Sequence, residues 1–107
     1  MIVAGDLNDT PDRPPLQSLL GLAGLTDVLA PGFPDPKDRW TYRDKKQIDY
    51  MLVSKPLAAA MTDAGVERRG LLNASKLTGG VVTSFPTITD DTNDASDHCA
   101  VWAEFSI

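Results

Sequence analysis

The chain has one cysteine, Cys99, and one histidine, His98. A single thiol excludes an internal disulfide, and a zinc cluster built from several Cys and His is excluded with it. A lone imidazole also excludes a two-His metal motif. Any metal here is expected to be held mainly by oxygen, which favours Mg²⁺, Mn²⁺ or Ca²⁺. Basic residues are scarce too: ten Lys and Arg stand against fifteen Asp and Glu, a formal charge of −5. Gripping nucleic acid by charge alone needs a basic stripe, so that mode is not expected. A phosphate substrate stays open, because a bound divalent cation inverts the local sign. No apolar run approaches the length of a membrane span. No charged-then-apolar leader precedes the first strand-like segment, so no signal peptide is expected. Internal repeats and low-complexity segments are also missing.

What is present is an ordinary globular composition, 107 residues with 42% hydrophobic and 23% charged. One domain is the most this length allows, and roughly a third of its unfolded surface would stay wet. Residues 1–4 are apolar without alternation and read as a strand buried on both faces. Pro14 or Pro15 suits a helix start, followed by a stripe of Leu16, Leu19, Leu20 and Leu22. Residues 25–29 are ambiguous, with one more helical turn as the reading closest to hand. Residues 31–38 hold three prolines and a glycine and read as loop.

Trp40-Thr41-Tyr42 resembles a strand, Asp44-Lys45-Lys46 a turn and residues 47–54 the returning strand, together a hairpin. A second short helix is expected over 56–61, a strand over 66–69, a long loop over 70–94 and a last strand over 98–107. In the strand 48–53, Ile48, Tyr50 and Leu52 face one way, and Asp49, Met51 and Val53 the other. In the last strand, Val101, Ala103, Phe105 and Ile107 oppose Ala100 and Trp102, with Glu104 and Ser106 beyond them. Both faces are largely apolar, and two short helices cover only one. Something outside these residues is expected to cover the other.

Three short stretches carry residues competent for chemistry. Gly5-Asp6-Leu7-Asn8 ends the first strand. If extended geometry persists, Asp6 and Asn8 point to one side, the carboxylate suited to a water and the carboxamide to a phosphate oxygen. The plainer alternative is a turn in which both side chains cap backbone groups. In Ile48-Asp49-Tyr50, Asp49 is the lone charge of an apolar strand and needs a hydrogen-bonding partner. A cross-strand pair with Lys or Arg is the competing reading. Ser96-Asp97-His98 offers a carboxylate for a hard cation and an imidazole for a phosphate oxygen or a proton, or else a turn Asp and a surface His. For one site to use both, the chain must bend there.

The ordered set of three, each beside an apolar strand, resembles the C-terminal half of the endonuclease/exonuclease/phosphatase superfamily. That half is marked by Gly-Asp-(Phe/Leu)-Asn, (Ile/Leu)-Asp-Tyr and Ser-Asp-His, and Trp40-Thr41-Tyr42 also looks familial. The resemblance implies an α/β (α+β) fold: half of a four-layer α/β/β/α sandwich of the deoxyribonuclease I type, mostly one β-sheet with short helices. It implies that residues 1–107 are one half of a domain whose N-terminal half, bearing an Asn and a Glu as main metal ligands, is not in this chain. The partner is then that half or a second copy of the chain.

The activity implied is metal-dependent hydrolysis of phosphoesters, with nucleic acid, phospholipid or inositol phosphate as substrate and Mg²⁺ as first choice of ion. Asp6 would activate the attacking water, Asn8 would hold a phosphate oxygen, His98 would donate to the phosphoryl group and Asp49 would hold the imidazole. Asp97, Asp6 and Asn8 would lie at the metal. The isolated half is expected to be inactive, and the alternative is an interaction module that keeps the fold and binds through its bare sheet face. Trp40 and Tyr42 could stack on a base or sugar, and Arg43, Lys45 and Lys46 could approach a phosphate. Core packing and a solvated turn are the plainer fates of these groups. Asp90, Asp91, Asp94 and Asp97 form an acidic loop, which reads as solvated but could take Ca²⁺.

Overall fold

The computed structural model describes residues 1–21, 24–90 and 96–107. Leu22 of the expected helical stripe, and Asp91 and Asp94 of the acidic loop, lie outside them. Strand β1 (Ile2–Asp6) is followed by α1 (Pro14–Gly21), β2 (Thr26–Asp27), a 3-10 turn at Pro36–Arg39, β3 (Asp49–Val53), α2 (Lys55–Ala59), β4 (Met61–Glu67), α3 (Ala74–Leu77) and β5 (Ala100–Phe105). The result is a mixed α/β domain with two antiparallel sheets and a few short helices. Among the described residues, no helix is long and apolar enough to cross a membrane.

Strand β3 is the centre of the first sheet, in the order β1-β3-β2. Its two apolar faces go to different layers. Tyr50 and Leu52 pack on Leu16 and Leu25, with Val3, Leu7, Leu19 and Leu20 around them, so α1 covers this side. Met51 and Val53 face the second sheet, β4 paired with β5. They meet Ala64, Val66, Val101, Ala103 and Phe105 there, with Val28, Leu29 and the α2 residues Leu57 and Ala58 completing the cluster. The expectation of mostly one sheet is thus corrected: the second apolar face of β3 is buried by a separate two-stranded sheet. Strand β5 divides as its alternation predicts, with Val101, Ala103 and Phe105 packed inward and Ala100, Trp102 and Glu104 exposed.

Several local expectations change for identifiable reasons. Residues 25–29 form a short strand and a turn, not a helical turn. Asp27 Oδ1 accepts the Leu29 N–H at 2.9 Å while Val28 donates its N–H to Met51 at 3.1 Å. Side-chain capping of this kind competes with helix. Trp40–Tyr42 is not a regular strand. A tight turn at 42–46, with Lys45 at φ 61, brings the Thr41 and Tyr42 N–H groups to the Lys46 carbonyl. Strand β4 begins at Met61, five residues before the expected Val66, and absorbs a register shift between Met61 and Asp63. The segment expected as a long loop carries α3, anchored by buried Leu71 and Ala74 against Trp40 and Cys99.

The outer side of the second sheet is bare enough to leave Trp102 39% exposed. Its indole lies against Gly65, where an added Cβ would sit 2.8 Å from the ring. The expectation of a first strand buried on both faces is corrected: β1 lies at the edge of its sheet, Val3 alone is half-buried, and Ile2 is 54% exposed. Leu52 is fully buried at the middle of the stack. Leu52→Ala is therefore expected to cost about 2–5 kcal/mol, read from urea unfolding. A loss below about 1 kcal/mol, the range of an ordinary surface change, would contradict the central place of β3.

Candidate active site

The register of β1 against β3 creates the site. Asp6 lies directly opposite Asp49, the last pair of the ladder. Opposed residues share a face, and Asp49 shares its face with Met51 and Val53. Both carboxylates therefore stand on the side that meets the second sheet. His98 arrives there just before β5, through an isolated bridge to Tyr42 and a Cys99 N–H bond to the Thr41 carbonyl at 2.6 Å.

One oxygen organises the centre. Asp49 Oδ2 is 2.8 Å from His98 Nδ1 and accepts the Thr41 hydroxyl at 2.8 Å. The opposite ring nitrogen, His98 Nε2, lies 4.0 Å from Asp6 Oδ2 and 3.9 Å from Asp97 Oδ1. The side chain of Asp49 is 18% exposed, while those of Asp6 and Asp97 are 46% and 41% exposed. Asp49 thus supports the imidazole from beneath, and the other two carboxylates flank its outward nitrogen at the solvent side. The bend needed at Ser96-Asp97-His98 is present: the His98 N–H donates to Ser96 Oγ at 3.0 Å, and the Arg43 N–H holds the Asp97 carbonyl at 3.0 Å. The Tyr42 ring sits beside the imidazole at 5.0 Å, tilted by 54°.

The sequence model of the endonuclease/exonuclease/phosphatase family matches residues 1–98. The chain belongs to this family. No curated protein and no solved structure matches it significantly. Membership gives the chain a phosphoester hydrolase type of function, in a family that typically uses divalent metals. The oxygens and imidazole of Asp6, Asp49 and His98 lie within 4.8 Å of one another, near enough for one ion to reach.

For this member of the family, the structure also separates residues that the motifs group together. Asn8 does not continue the strand. It adopts φ 54, and its N–H donates to Asp6 Oδ1 at 2.8 Å, so Asp6 closes a turn with one oxygen and keeps the other toward His98. The extended geometry expected for the Asp6–Asn8 pair is thereby corrected. Asn8 lines a cleft with Tyr42, Lys46 and Ile48. Trp40 is 6% exposed and packs on Leu71 and Cys99, with the Arg68 guanidinium 4.0 Å over its ring. The expectation that it stacks on substrate gives way to a core role, because its faces are already occupied. Arg43 meets the site through its backbone, and its side chain is exposed.

Two contributors were not recognised as such from sequence. The buried Tyr50 hydroxyl lies 2.8 Å from the Asp9 carbonyl and 2.9 Å from that of Gln47, tying the segment after β1 to β3. Burial, with the charges of Asp27 and Asp9 adding to it, keeps this phenol protonated far above its usual range. Thr41 is the other; only its place in a familial stretch pointed to it. Cys99 is buried beneath the site, and desolvation raises its thiol to about 11, so it stays neutral.

The hydrogen bond to Asp49, with the charges of Asp49, Asp6 and Asp97 behind it, raises the His98 pKa against a smaller opposing effect of burial. The imidazolium form is favoured toward neutral pH. Asp49→Asn is expected to lower the His98 pKa in an NMR titration of its ring signals; an unchanged value breaks the link. The sign for stability follows from a folded value above the unfolded one, about 6.5. The stabilising contribution of the pair is complete below that pH and fades as pH rises through the folded His98 pKa. The stability gap between the parent chain and Asp49→Asn is thus expected to narrow toward alkaline pH.

Proposed function

We propose that this chain is the C-terminal half of a divalent-metal-dependent phosphoesterase, acting on a phosphodiester or phosphomonoester of nucleic acid, phospholipid or inositol phosphate. The observation that carries the reading is the outward nitrogen of His98, held from behind by Asp49 and flanked by two carboxylates. With Nδ1–H donated to Asp49, the imidazolium has Nε2–H left for a phosphoryl oxygen. Its positive charge then meets negative charge as that builds in the transition state. Asp6 keeps Oδ2 for the attacking water, to orient it and accept its proton. Asn8, on the neighbouring cleft, is assigned a phosphate oxygen, and Tyr42 and Arg43 the flanking part of the substrate.

The donor set fits a hard cation. Asp49 Oδ2 and His98 Nδ1 are engaged with each other, so among the described residues we assign the ion to the oxygens of Asp6 and Asp97 that flank Nε2, and Asn8 is assigned to it only through the segment it shares with Asp6. Mg²⁺ commonly uses one or two carboxylates together with substrate phosphate, and Mn²⁺ or Ca²⁺ accepts the same oxygens. A bound divalent cation would supply charge neutralisation at the phosphoryl oxygens. Two ligands are few, in keeping with an N-terminal half that adds its own and completes a four-layer sandwich over the exposed side of β4–β5. Exposed Trp102 favours such a cover. It also favours a second reading, in which that face binds a partner and the site is idle.

Titrating Mn²⁺ into the chain is expected to broaden the NMR signals of Asp6, Asp97 and His98 ahead of all others, and Asp6→Asn to remove that preference. Broadening spread evenly over exposed carboxylates would sink the metal assignment. In the protein with its cover in place, hydrolysis of a phosphodiester reporter is expected to need Mg²⁺ and to stop with chelator. His98→Ala should then cost about 10²–10⁴ in rate. Unaltered hydrolysis in His98→Ala rejects the role given to His98, and no hydrolysis by the covered protein with Mg²⁺ present rejects the enzyme reading and leaves the interaction module.

A further inference from the structure

We propose that Thr41 is a positioning residue of this site: its hydroxyl aims the Asp49 carboxylate at His98 and thereby holds a proton on the imidazole Nδ1. The inference rests on the proposed phosphoesterase reading and adds a residue to which that reading gave no role.

A threonine hydroxyl has one proton to donate and two lone pairs to accept with. At Thr41 both accepting positions are filled from the backbone, by the Ile48 N–H at 3.2 Å and the Asp49 N–H at 3.0 Å. The hydroxyl proton is left with one direction, toward Asp49 Oδ2 at 2.8 Å. Thr41 is fully buried, so water does not compete for any of these places. A group that normally rotates is therefore fixed by its own saturation. The oxygen it addresses is the one that meets His98 Nδ1 at 2.8 Å. An ionised carboxylate only accepts, so a carboxylate locked in this way requires Nδ1 to carry hydrogen. Nε2 is then the nitrogen that faces Asp6 and Asp97.

The backbone of the same residue fixes the other partner. The Thr41 N–H donates to the Lys46 carbonyl at 3.1 Å, and its own carbonyl accepts the N–H of Cys99, next to His98. Thr41 thus ties the start of β3 and the approach to β5 to one point. Valine has nearly the same shape and keeps the backbone bonds. It removes the hydroxyl alone, leaving two N–H groups unsatisfied and Asp49 without its second donor.

The unaltered chain is the first test. A buried, saturated hydroxyl should give a slowly exchanging Thr41 proton signal, and the His98 Nδ1–H signal should stand downfield at fixed pH. Thr41→Val is expected to lose the downfield Nδ1–H signal and shift both ring nitrogens, while Thr41→Ser restores them. A folded Thr41→Val with His98 signals unchanged overturns the proposal. If Thr41→Val does not fold, the unaltered chain decides: a Thr41 hydroxyl that exchanges freely with water overturns it as well. Failure of the phosphoesterase reading looks different, because the covered protein would then not hydrolyse the reporter while the Thr41-dependent Nδ1–H signal stands.

Discussion

The hydrogen bond between Asp49 and His98 is the contact on which the arrangement depends. It joins a carboxylate on the central strand of one sheet to an imidazole at the entrance of the other. Hydrophobic packing between Met51, Val53, Val101 and Phe105 brings the sheets together, but such packing has no direction. The Asp49–His98 bond, with Thr41 behind it, supplies the direction. It sets which ring nitrogen faces outward, and so what the neighbouring carboxylates can do with it. A partly buried carboxylate is costly alone; here two donors offset its desolvation.

The electrostatics are consistent with that geometry. Three carboxylates surround one imidazole in a chain whose formal charge is already −5. The imidazolium is the local counter-charge, yet it is outnumbered, and Asp6 and Asp97 keep oxygens directed at solvent. Under the proposed reading, such a site would take a cation before a phosphate. Burial above all, with Asp49 as a smaller contributor, keeps the Cys99 thiol and Tyr50 phenol neutral.

Strand β3 also explains how a small domain can form a separate core on each side of one strand. Each of its faces is apolar, and each is covered, one by α1 and one by the second sheet. Among the described residues, the apolar cluster that includes Val53 packs on the inner face of the second sheet, while Trp102 on its outer face is exposed. Trp102 is placed outside, over a glycine that leaves room for the ring. Burying that indole would remove a large apolar area from water, which is why the exposed face supports a covering element.

Short-range order was legible in the sequence, and contacts between distant segments were not. The three motifs, the alternation of β5, the apolar faces of β3 and the proline-led start of α1 follow from local chemistry and a period of two. A period of two cannot say which strands share a sheet, so the division into two sheets was decided by packing. Asn8 left the strand because Asp6 captured its N–H, Trp40 turned inward beneath Arg68, and Thr41 acquired its role through Ile48, Asp49 and Cys99. The residue types alone determined what chemistry was available: oxygens for a hard cation and one imidazole for a proton. Only the tertiary structure decided that they meet, because the pairing of Asp6 with Asp49 and the approach of His98 join segments far apart in the chain.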